Sequence, residues 1–166
     1  MDDNSTAPKH TVRASAVEMT EIVIPNDTNQ LGNLLGGRLM HWIDMATAIA
    51  ACRHSSLICV TAAVDQLNFF HPIKLGEVVI LKASVNRVFN TSMEVGVKVF
   101  AENLKTGNRI HTNSAHFTFV GLNAEGVPTP SPQVIPETDE EKRRFENAYI
   151  RRKQRLDNRH FGERLV

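Results

Sequence analysis

At 166 residues the chain is long enough to bury one sizeable core and too short for two. Hydrophobic residues make up 42% and charged residues 22%, which excludes a disordered or fibrous class. A formal net charge of +1 gives the chain as a whole no electrostatic case for nucleic acid or an anionic membrane.

Residues 1–14 carry no periodic pattern and read as a loose arm. The opening MDDNSTAPKH has no basic segment leading into an apolar one, and no apolar run reaches about 18 residues, so neither secretion nor membrane spanning is expected. A first strand spans 16–24 and stops at Pro25. A turn-rich stretch follows, from Asn26 through Gly32 to Gly36-Gly37. From Arg38 to about Arg53, Leu39, Trp42, Ile43, Ala46, Ile49 and Ala50 recur at helical spacing. Beyond Asp44 this segment is apolar nearly all round, which describes a helix enclosed by other elements. Its Cys52, with Cys59 just beyond, lacks metal-ligand spacing, so both read as buried, reduced thiols and imply a cytoplasmic address.

Four strands are expected next, at 57–69, 77–89, 92–100 and 109–120, joined by short turns as a meander. In the third, Met93, Val95, Val97 and Val99 alternate with Glu94, Gly96 and Lys98, placing one face on a core and the other in water. The stretch 127–137 holds four of the seven prolines and reads as an extended linker. Thr138 and Glu141 then form a capping box for a last helix reaching toward residue 166. The expected class is α+β: a domain over 15–126, in which a curved antiparallel sheet wraps a central helix, followed by linker and helix.

Asp44 is the residue composition least explains. A carboxylate in the middle of an apolar helix is costly unless paired, so it is either a structural Asp neutralised by a neighbouring Arg or Lys, or a general base or nucleophile facing a ligand. Gly36-Gly37 opens the same helix although Gly is worse than Ala there by roughly 1 kcal/mol. It serves either a tight turn or close packing, or free N–H groups that hold a developing oxyanion. Asn29 is either an Asx-turn residue or part of the same site.

The run from Asn26 to Asp44, containing Asn29, Gly36-Gly37 and Asp44, resembles the signature of the hot-dog-fold acyl-CoA thioester hydrolases. These include the brain-type acyl-CoA hydrolase and its single-domain bacterial relatives. The likeness continues through Val60 to Asp65, Phe69 to Ile73, Asn90 to Val95 and Phe117 to Val120. It implies a hot-dog fold hydrolysing acyl-CoA to a carboxylic acid and coenzyme A, with Asp44 as general base or nucleophile. Asn29 and the Gly36-Gly37 helix start would position and polarise the thioester. Arg87, Asn90, Thr91 and Ser92 match the turn that meets coenzyme A in relatives; a solvated hairpin end is the alternative. Coenzyme A is then substrate, and no cofactor is implied. The likeness also implies a homodimer, as a trimer of dimers, with nucleotide regulation. A non-catalytic acyl-CoA-binding regulatory module is the second reading.

No HExxH, GxSxG, P-loop or Rossmann pattern is present, and His111 and His116 read as strand residues, so no metal site is expected. Residues 142–159 carry eight Lys or Arg against two acids. They read as a solvated helix face or an oligomer contact, with nucleic acid a minority reading.

Overall fold

The computed structural model describes residues 8–65 and 67–162. In chain order these form β1 (Lys9–Thr11), α1 (Val12–Ser15), β2 (Val17–Ile22), a 3-10 turn at Pro25–Asp27, α2 (Gly36–Ser55), β3 (Ile58–Asp65), β4 (Val78–Val88), β5 (Ser92–Glu102), β6 (Arg109–Leu122), β7 (Gln133–Ile135) and α3 (Asp139–Gly162). Among the described residues no helix is long and apolar enough to cross a membrane.

Five strands pair antiparallel in the order β2-β4-β5-β6-β3. Only β4-β5-β6 form the expected meander. β3 crosses to the far edge and pairs with β6, Val60 opposite Val120, so the sheet ends in an open strand just after the helix. The crossing is the 66–77 connection. α2 lies across the inner face, where Leu39, Trp42, Ile43, Ala46 and Ala50 pack on Leu81, Val85, Val95, Val97, Phe117 and Phe119. Each of the larger aliphatic or phenyl side chains, fully buried, contributes about 1.5–3 kcal/mol, and each alanine methyl about 0.8 kcal/mol. The helix is not enclosed all round: Met40 is 44% and Ile49 40% exposed. The two thiols are free and half-buried, and burial pushes Cys59 up to about 11.

Two segments read as irregular are strapped together instead. β1, inside the expected arm, pairs parallel with β7, inside the expected linker; residues 1–7 of the arm lie outside the described residues. His54, fully buried at the end of α2, ties the strap down. Its Nε2–H donates to the Pro132 carbonyl at 2.9 Å, and its backbone carbonyl accepts from His10.

The outer face of the sheet is also covered, by α3, whose first turn carries the expected Thr138–Glu141 capping box. Glu94, expected to face water, is fully buried. It accepts from Arg151 of α3 at 2.6 Å and from Asn86 at 2.9 Å. Gly96 is what lets Asn86 lie across the strand, since a Cβ there would stand 2.7 Å from the Asn86 amide. Arg155 pairs with Asp65 at the end of β3. Two of the basic residues of α3, Arg151 and Arg155, are therefore spent on the sheet, while Lys142, Arg143 and Lys153 face solvent.

Candidate active site

The turn-rich stretch before α2 is held at both ends. Asp27, buried, takes an ion pair from Arg38 in the first turn of α2 at 2.8 Å, and its backbone carbonyl accepts from Leu35 N–H. Leu34 N–H donates to the Ile73 carbonyl at 2.7 Å, so the loop also rests on the 71–77 connection. Within it, Asn29 Oδ1 accepts from the N–H groups of Leu31, at 2.9 Å, and Asn33, at 3.2 Å. The Asx-turn reading is correct, and it fixes the amide orientation: the oxygen is spent on the loop while the Nδ2 group keeps two donors for another partner.

Asn29 and Gly36 line one cleft of about 320 Å³, together with Leu34, Leu39, Phe69, Phe70 and Ile73. Neither Gly36 nor Gly37 has a positive φ. A Cβ would meet only ordinary contact with Phe69 at Gly36, and open space at Gly37. Neither a positive-φ turn nor packing within the chain demands the pair. The N-cap, Leu35, offers no side-chain cap to the first-turn N–H groups.

Asp44 lies outside that cleft, about 12 Å along the helix at 1.5 Å per residue. It is half-buried, and no Arg or Lys pairs with it among the described residues. The ion-pair alternative is therefore absent. Instead the Thr61 hydroxyl, reaching over from β3, donates to Asp44 Oδ1 at 2.8 Å. Thr61 sits where the β3–β6 register shifts, at a bulge that re-aims the strand. No periodicity in the sequence marks it as a site residue.

The four residues expected to meet coenzyme A divide. Asn90, at φ 107°, turns the β4–β5 hairpin, and Asn90, Thr91 and Ser92 lie at its end. Arg87 is committed elsewhere. Its guanidinium lies 4.0 Å from the centre of the Phe145 ring and 5.2 Å from that of Tyr149, and it donates to the Phe145 carbonyl at 3.2 Å.

A sheet wrapped on one long helix in this way has counterparts among known proteins. The Thioesterase superfamily profile matches residues 31–108. The uncharacterized acyl-CoA thioester hydrolase YkhA of Bacillus subtilis is 39% identical over 93% of this chain and 90% of its own. This chain belongs to the acyl-CoA thioester hydrolase family. Its fold is the hot-dog thioesterase fold.

Other members of the family differ in length. Mouse acyl-coenzyme A thioesterase 11 is 43% identical over 84% of this chain, which spans only 23% of that protein. A hexameric acyl-CoA thioesterase solved without ligand superposes with a TM-score of 0.89 at 37% identity, covering 91% of this chain and 97% of its own. The acyl-CoA hydrolase of Staphylococcus aureus, solved with butyryl coenzyme A and coenzyme A, gives a TM-score of 0.89 at 32% identity over 96% of this chain and 97% of that one. That enzyme has also been solved with an aspartate, a threonine and an asparagine each replaced by alanine.

Proposed function

We propose that this protein hydrolyses acyl-CoA, adding water across the thioester to release a carboxylic acid and coenzyme A. The observation that carries the reading is Asp44: a helix carboxylate that no cation neutralises among the described residues, and that the Thr61 hydroxyl orients. Such a group is free to take a proton from water as water attacks the carbonyl carbon. The departing thiolate then takes that proton. Asn29 Nδ2 and the uncapped N–H groups at Gly36-Gly37 supply donors for the oxyanion, and Asn90, Thr91 and Ser92 offer groups to the coenzyme A moiety. Arg87 is left out of this set because α3 holds it. The residue types altered in the S. aureus hydrolase, aspartate, threonine and asparagine, are those of Asp44, Thr61 and Asn29 here, which supports the assignment.

The working unit in this reading is a homodimer with Asn29 from one subunit and Asp44 from its neighbour, further assembled as a trimer of dimers. Asp44 does not line the cleft that holds Asn29, while a two-fold contact would bring the loop of one copy to the helix of the other. A cytoplasmic setting belongs to the same reading, since two free thiols suit a reducing compartment.

The test is thiol release from a panel of acyl-CoAs, acetyl to palmitoyl, by wild type and Asp44→Asn. Release by wild type and its loss in the variant are expected. No release from any chain overturns the hydrolase and leaves a binding module. Single turnover in oxygen-18 water then separates water activation from a covalent anhydride: label in the Asp44 peptide marks the anhydride, and its absence is expected.

A further inference from the structure

We infer that Phe69 sets the length and width of the acyl chain this enzyme accepts. The inference rests on the hydrolase reading and adds the residue that measures the substrate.

The cleft that holds the polar groups of Asn29, Asn33 and His71 with the Gly36 backbone is otherwise walled by apolar side chains, Leu34, Leu39, Phe69, Phe70, Pro72 and Ile73. A thioester fits the polar groups, and only its hydrocarbon tail suits the rest. The volume, about 320 Å³, is small, so any wall residue that intrudes shortens the chain that fits.

Leu39 and Ile73 belong to the hydrophobic core and are almost fully buried. Phe69 is different: 52% of it is exposed, yet its backbone is fixed on both sides. The carbonyl of Asn68 accepts from the side-chain amide of Asn113, a fully buried residue on β6, and Phe70 N–H donates to the Thr112 carbonyl at 3.3 Å. Between these anchors the ring is held over the start of α2. Its Cζ and Cε1 stand 3.5 and 3.8 Å from where a Cβ would sit on Gly36. A thioester carbonyl held by those backbone N–H groups would put its first chain carbons in van der Waals contact with this ring. Phe69 thus stands against the Gly36 backbone and, exposed like its neighbour Phe70, can change size without opening the core.

The experiment measures kcat/KM for straight and branched acyl-CoAs, acetyl to palmitoyl, with wild type, Phe69→Leu and Phe69→Trp, while light scattering follows assembly. Each methylene gaining burial is worth about fourfold. In Phe69→Leu, kcat/KM for a chain two carbons past the wild-type optimum, relative to that optimum, should rise about fifteenfold. Phe69→Trp should move the optimum the other way. Profiles that keep the wild-type shape in both variants, or fall by one factor for every chain, overturn the inference. A uniform fall accompanied by dissociation assigns Phe69 to a contact between copies and overturns it as well. If wild type itself releases no thiol, the hydrolase reading has failed instead.

Discussion

On the outer face of the sheet the buried charges are paired within the chain: Glu94 with Arg151, Asp65 with Arg155, Arg87 stacked between rings of α3. Along the free edge of β3 and around the cleft, it is apolar side chains that stand without a partner. β3 is an edge strand with one unpaired side, and Ile58 (65%), Val60 and Val64 on it are exposed, as are Leu31, Leu35 and Phe70 around the cleft. Natural proteins rarely leave a flat apolar edge in water. The difference teaches where the molecule is finished and where it waits for another surface, and the residues proposed for chemistry, Asn29, Gly36, Asp44 and Thr61, all lie toward the unfinished side.

The sharpest way to break this comparison is to test whether the unfinished side is completed by a second copy. Asp44→Ala and Asn29→Ala should each lose about a thousandfold in kcat/KM, the scale of a missing general base or oxyanion donor. Unfolded and refolded together, the two should recover roughly a quarter of wild-type activity, because random pairing makes about half the dimers mixed and each mixed dimer restores one site of two. If mixed dimers form and activity stays at the parent level, both residues act within one chain.

The finished side makes the converse prediction, an effect on stability with little on chemistry. Arg151→Ala leaves Glu94 fully buried with Asn86 as its remaining partner, and removing one member of a buried pair costs about 3 kcal/mol. Urea unfolding should show that loss while kcat at saturating substrate stays within a few-fold. A collapse of kcat in protein that remains folded and assembled would mean that the outer face serves the reaction directly.

The sequence pattern carried these two sides unequally. Local periodicity was sufficient for α2, for the alternation of β5 and for the α3 capping box, because each depends on residues within a turn or a strand of one another. What it could not convey was pairing at long range. The place of β3 beside β6, the strap between β1 and β7, and the burial of Glu94 all depend on which distant segments meet. At the candidate site, Gly36-Gly37 and Asp44 stood out because each violates a local preference, whereas Asn29, ordinary in a turn, was singled out only by the family likeness. Thr61 violates none: a threonine in a strand is ordinary, and only the fold turns its hydroxyl onto Asp44. Arg87 shows the same limit: a cation near hydroxyls suits phosphate, and only the fold reveals that rings from a helix nearly sixty residues on also contact it.

Thr61 offers a finer probe of the unfinished side. Thr61→Val keeps the shape of the side chain and removes the one donor on Asp44 Oδ1. A hydrogen bond to a charged group is worth about 1.5–3 kcal/mol, so kcat should fall at least tenfold with stability nearly unchanged. Unchanged kcat would show that the carboxylate is oriented by something other than this strand.

The smallest effect concerns pH and the closed parts of the fold. Burial lowers the pKa of His54, in the strap, and of His116, under α3, where Arg151 adds to the lowering. Both therefore stay neutral in the folded chain at pH values where the unfolded chain, near 6.5, takes up protons. A folded state that binds fewer protons than the unfolded one is fully stable above that value and loses stability as pH falls below it. The groups facing His116 are Arg151, Arg144, Glu94 and Asp65; those facing His54 are His10, Ser15 and the Pro132 carbonyl. Urea midpoints should thus decline from pH 7.5 to 5.5, with a limiting slope of about 1.4 kcal/mol per pH unit for each histidine. His54→Gln should remove one proton from that slope and leave the other. Stability that is flat or rises over this window would mean that neither histidine is held neutral, and that the closed side tolerates charge as readily as the open one.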